Sequence, residues 1–98
     1  MSDEVRLVVI IHTQPGKGSQ QLAAFEKLAP QVRAEHGCLQ YDLHPVVGNN
    51  DSFVLIEKWA SKAALDAHHL AAHMLEAAKH TPSFRAVPAT VLLLEAAV

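Results

Sequence analysis

The chain has 98 residues, a formal charge of -2 with its seven histidines neutral, and 50% hydrophobic residues. That length makes one domain, residues 1–98, and the charge balance leaves no basic stripe of the kind that holds nucleic acid. No apolar run approaches the ~20 residues that cross a bilayer, and the polar start Met1-Ser2-Asp3-Glu4 lacks the basic and long apolar regions of a secretory leader, so a cytoplasmic location with no membrane partner is expected.

Val5 to Thr13 reads as a first strand, β-branched and nearly all apolar, so both of its faces are expected to be covered. Gln14-Pro15-Gly16-Lys17-Gly18 is a turn, and Ser19 is placed to cap a helix. Leu22, Phe25, Leu28, Ala29 and Val32 recur at helical spacing, with Pro30 expected to kink or restart the helix and Gly37 to close it. Cys38 to Val46 alternates, with Leu39, Tyr41 and Leu43 on one face; Pro45 marks an edge or an end. Cys38 is the only cysteine, which rules out an internal disulfide and a cysteine-rich zinc site; it is expected as a small buried hydrophobe.

Gly48-Asn49-Asn50-Asp51 makes the turn of a hairpin whose second strand runs from Ser52 to Ala60. On that strand Phe53, Leu55, Glu57 and Trp59 share one face, and Val54, Ile56 and Lys58 the other. Ser61 caps an alanine-rich helical region from Lys62 to His80, ended by Thr81-Pro82. Val87 to Glu95 is the last strand. The order βαββαβ predicts an α+β fold of ferredoxin-like topology: a four-stranded antiparallel sheet with both helices on one face. The bare sheet face, with Val54 and Ile56, predicts a two-fold homodimer that covers it.

Chemistry is sought first where histidines cluster: His68, His69, His73 and His80 lie within thirteen residues. On one continuous helix at ~100° per residue, Leu65, His68, Ala72 and Leu75 share a stripe roughly 80° wide, so His68 points to the core. Leu70 and Met74 fall on the opposite side. A helix apolar on two opposite sides is buried twice or broken, and a break near Ala71 is expected.

An inward histidine needs a partner or a cavity. Glu57 supplies an orienting carboxylate and Trp59 an aromatic wall, so His68, Glu57 and Trp59 form the candidate catalytic set. Phe25, Leu55, Leu65, His73, Met74 and, at the mouth, His12 are the candidate substrate-binding residues. The competing reading is a self-satisfied Glu–His pair with Trp59 as core filler. His69 and His73 have the i,i+4 spacing of a metal pair but no evident third ligand, and no metal is expected.

Several segments, in order, mark a family. Pro15-Gly16-Lys17 is followed by Val32-Arg33-Ala34-Glu35 and Gly37-Cys38-Leu39-Gln40-Tyr41. Then come Phe53-Val54-Leu55-Ile56-Glu57-Lys58-Trp59, Ala64-Leu65-Asp66-Ala67-His68 and His73-Met74. Together these resemble the antibiotic biosynthesis monooxygenase (ABM) family over nearly the whole chain. The resemblance implies a dimeric α+β barrel with a pocket between sheet and helices in each subunit. It further implies oxidation of a small quinol- or anthrone-type aromatic substrate by O2 with no cofactor, with His68 as base, Glu57 as its orienter and Trp59 as the pocket wall. Leu55 stands where the anthrone oxygenases of the family carry an asparagine. The alternatives are an isomerase of a small phosphorylated metabolite and a non-catalytic small-molecule-binding dimer.

Overall fold

The computed structural model describes residues 3–98; the first two residues of the polar start, Met1 and Ser2, lie outside the described residues. The strands are β1 (Val5–His12), β2 (Cys38–Val46), β3 (Asn49–Trp59) and β4 (Thr90–Leu94). The helices are α1 (Gly18–Arg33), α2 (Lys62–Leu70) and α3 (Ala72–His80), and a 3-10 turn covers Thr81–Ser83. All strand pairs are antiparallel in the order β2-β3-β1-β4, so the α+β ferredoxin-like topology is the one observed. No helix of the described residues is long and apolar enough to cross a membrane.

The core lies between the helices and one sheet face. Leu7, Val9 and Ile11 of β1 and Phe53, Leu55 and Trp59 of β3 are buried there, with Ala29 and Val32 of α1 and Ala64 and Leu65 of α2 above them. β1 alternates rather than being covered on both faces, for Val8 and Ile10 are only half-buried. The second sheet face has aligned apolar rows. Val8 is opposite both Ile56 and Leu92, and Ile10 is opposite Val54. Every residue of β4 is exposed.

Several boundaries differ from expectation for identifiable reasons. The first helix starts at Gly18, before Ser19, and its cap comes from across the fold: the Asp51 carboxylate accepts from the Gly16 and Gly18 amides at 3.0 Å each. Only glycine fits at 18, where a Cβ would lie 1.8 Å from the Asn50 carbonyl oxygen. α1 runs unbroken through Pro30 to Arg33, so the proline does not restart the helix and removes only the bond its own amide would have made one turn back. The hairpin turn is Val47-Gly48, tighter than expected, and β3 therefore begins at Asn49. A register shift between Cys38 and Gln40 turns Leu39 out to solvent. Cys38 is half-buried against the core rather than fully within it. β4 is shorter than Val87–Glu95: Arg85 bridges Thr13, but Pro88 has no amide to donate, and the ladder resumes only at Thr90.

The second helical region breaks at Ala71, whose extended backbone (φ -63, ψ 140) separates α2 from α3. Ser61 caps α2, its side chain accepting from the Ala64 amide at 3.1 Å. After the break the facing residues change. Leu75 turns outward and Met74 packs against the core.

Candidate active site

The site begins with a turn. α1 ends at Arg33, whose guanidinium donates through Nε and Nη2 to the Tyr41 carbonyl at 3.1 and 2.8 Å. Gly37 follows with φ +83, a left-handed backbone that favours glycine. A Cβ on Gly37 would lie 2.6 Å from the Ala64 Cβ, so this turn rests on the first turn of α2. His68 lies four residues after Ala64, on the same helix face. The turn therefore carries Glu35 up to His68.

Glu35 Oε2 is 2.9 Å from His68 Nδ1 and 2.6 Å from His73 Nε2. A carboxylate only accepts, so each of these ring nitrogens is the donor. The break at Ala71 makes the shared contact possible, because it redirects α3 and brings His73 onto the carboxylate that His68 also uses. The bond leaves His68 Nε2 as its acceptor nitrogen, 4.0 Å from Glu57 Oε1. Trp59 Nε1 donates to that same Glu57 oxygen at 3.0 Å. The Trp59 and His68 rings lie 4.5 Å apart, and Tyr41 meets His68 edge-on at 5.8 Å.

The carboxylate hydrogen-bonded to His68 is thus Glu35, whereas Glu57, expected in that place, lies 4.0 Å from the other ring nitrogen. Glu35 stands in the family-marking segment Val32-Arg33-Ala34-Glu35, yet the helical spacing that located the inward residues stops at Val32. An acid just ahead of the turn glycine, in a chain with four clustered histidines, is the signal that could have found it.

A cavity of about 820 Å³ opens between sheet and helices. Val9, Ile11, Leu43 and Leu55 floor it, and Phe25 stacked on Tyr41 (centroids 5.4 Å) forms a wall. His68, Glu57, His73 and Met74 face it from the end where the histidines cluster. His69 and His80 reach its rim. Three expected site residues lie elsewhere. Trp59, expected as a wall, is fully buried behind Glu57. Leu65 belongs to the core. His12 is exposed at the strand end and bonded to Ser52 Oγ at 2.9 Å. All three are absent from the cavity lining because their strand or helix positions face packed neighbours or solvent.

Burial is the dominant influence on two of these groups. It pushes the Tyr41 phenol well above its ordinary range, so the hydroxyl stays a donor at neutral pH. It also pushes the Glu57 carboxyl up, partly opposed by the Trp59 N–H and by His68. A carboxyl raised above its unfolded value of 4.5 leaves stability intact below that pH and removes it as pH rises through the folded value. Glu57→Gln, which keeps an acceptor for Trp59, is therefore expected to gain thermal stability relative to wild type at pH 8 more than at pH 4. Melting curves at both values check it; an equal offset at the two would contradict the burial effect.

Comparison with known proteins agrees with this architecture. A family model described as antibiotic biosynthesis monooxygenase matches residues 5–80. YcnE of Bacillus subtilis is 39% identical over 67 residues, 68% of this chain and 70% of that one. The Escherichia coli protein named "Probable quinol monooxygenase YgiN" is 36% identical over 80 residues, 69% of this chain and 75% of that one. Among solved structures, PA3566 of Pseudomonas aeruginosa superposes with a TM-score of 0.90 at 30% identity, covering 100% of this chain and 98% of that one.

Proposed function

The chain belongs to the antibiotic biosynthesis monooxygenase family, and on that premise we propose that it is a cofactor-independent monooxygenase oxidising a small quinol- or anthrone-type aromatic substrate with O2. The observation that carries this is one imidazole at a cavity wall, tied at Nδ1 to a carboxylate and open at Nε2.

The chemistry asks little more of the protein. His68 Nε2 accepts a phenolic or ring-methylene proton, and Glu35 stabilises the imidazolium that forms. The resulting carbanion or phenolate passes an electron to O2, and the two radicals join as a carbon–oxygen bond to give a peroxide. His68 returns its proton to the distal oxygen, and the remaining hydrogen of the oxygenated carbon leaves as a proton while the O–O bond breaks, so that hydroxide departs as water and a carbonyl is left. A quinol and O2 become a hydroxyquinone and water, or an anthrone and O2 an anthraquinone and water. All electrons come from the substrate, so no external reductant enters. The apolar floor and the Phe25–Tyr41 wall hold a flat ring and exclude water.

The test is oxygen uptake with a panel of reduced quinols and anthrones in the presence of a metal chelator. Uptake above the non-enzymatic rate and resistant to chelator is expected. None across the panel would favour the isomerase or the binding module instead.

The same proposal includes a homodimer. Val8, Ile10, Val54, Ile56 and Leu92 form an apolar patch on the helix-free face, and a two-fold partner presenting the same patch covers both. Sedimentation at micromolar concentration is expected to give twice the 10.6 kDa chain mass; a monomer would leave that face without a role.

A further inference from the structure

The far end of the cavity holds a cation with no counter-charge. Arg85 lines the cavity and is half-buried. Its Nε donates to Gln21 Oε1 at 3.0 Å, and Gln21 is itself 4% exposed. The other two arginines have acids beside them, Arg6 with Glu4 and Arg33 with Asp42. No carboxylate among the described residues pairs with Arg85. Its electrostatic neighbour is Tyr41, whose phenol stays neutral. Burying a guanidinium against an amide alone is costly, and burial does lower its hold on its proton.

The backbone around Arg85 is fixed. Its segment bridges to Thr13, the Gln14 amide donates to the Phe84 carbonyl at 2.8 Å, and the Ala86 amide to the His12 carbonyl at 3.0 Å. In sheet register, Leu7 is opposite Glu57 and Thr13 is opposite Arg85. Six residues of strand separate them, about 20 Å along the backbone, shortened by the side chains reaching inward. The cation and the acid–histidine cluster thus bracket the apolar floor from opposite ends.

We propose that Arg85, held by Gln21, anchors an anionic oxygen of the ligand, so that the site selects a fused aromatic ring carrying a carboxylate remote from the carbon that is oxygenated. This rests on the cavity being the substrate site. An arginine fork matches a carboxylate geometrically, and the ligand supplies the counter-charge that the chain omits. Arg85 is a specificity-determining residue, distinct from the base at the other end.

The test is anaerobic calorimetric titration of the whole protein with 1,4-dihydroxy-6-naphthoate and with 1,4-dihydroxynaphthalene, which differ only by a carboxylate on the ring away from the hydroxyls. Wild type is expected to bind the carboxylate at least about tenfold tighter, the scale of a charged hydrogen bond. Arg85→Gln is expected to bring the two affinities together. Arg85→Lys, which keeps the charge and preserves the fold if the amide does not, is expected to retain part of the preference. Equal affinities in wild type, no binding of either compound, or an undiminished preference in Arg85→Gln would each overturn the proposal. Because oxygen is absent, the outcome is separate from the oxygenase reading: a preference for the carboxylate without oxygen uptake would leave the anchor standing and remove the oxygenase.

Discussion

His68→Ala is expected to slow oxygen uptake about 10²–10⁴-fold while ligand affinity stays within a few fold, because the lost group moves a proton rather than holding the ring. The imidazole is 2% exposed and fixed in one tautomer by the 2.9 Å bond from its Nδ1 to Glu35. That leaves Nε2 toward the cavity as acceptor, and a protonated His68 beside Glu35 is a close ion pair where water cannot screen it. Glu35→Gln should retain His68 but lose part of the rate, since the amide can hold either tautomer and cannot neutralise the imidazolium. Parallel kinetics and titrations of the two variants check this. A His68→Ala protein that turns over at the wild-type rate would remove the base from the account. One that loses affinity and rate together would make His68 a binding residue.

Trp59→Ala is expected to destabilise the fold by about 3–5 kcal/mol, the range for deleting a fully buried large aromatic. Trp59 is 0% exposed at the end of β3, opposite Val5 on one side and Cys38 on the other. Removing it leaves a cavity beside His68 and takes the N–H from the buried Glu57 carboxyl. For a domain of this size each kcal/mol moves the melting midpoint by roughly 4–8 °C, so the drop is large on a scale where whole domains hold about 5–15 kcal/mol. Trp59→Phe keeps most of the volume and loses only the donor, and should fall between. A loss under about 1 kcal/mol in chemical denaturation of Trp59→Ala would contradict the packing described.

The fold was legible because local signals agreed with one another. The alternation from Phe53 to Trp59 sorted the faces of β3 correctly, since a strand has a fixed period of two. The clash between two apolar sides of one helix marks the break at Ala71. His68 was recognisable as inward by the same geometry. What escaped were contacts made by chain reversals. Glu35 reaches His68 only because Gly37 lets a turn rest on Ala64, and no periodicity extends across that turn. Asp51 capping α1 from the hairpin is of the same kind, a pairing of residues 33 positions apart. Arg85 lies outside every regular element, where helical and strand periods have nothing to say.

The central claim is that the protein first removes a proton and oxygen reacts second. It is tested most directly by mixing an anthrone with the protein under strict exclusion of oxygen and recording the absorption spectrum. The account predicts the spectrum of the bound anion in wild type, its absence in His68→Ala, and its decay when O2 is admitted. A bound substrate that keeps its neutral spectrum in both proteins would contradict it.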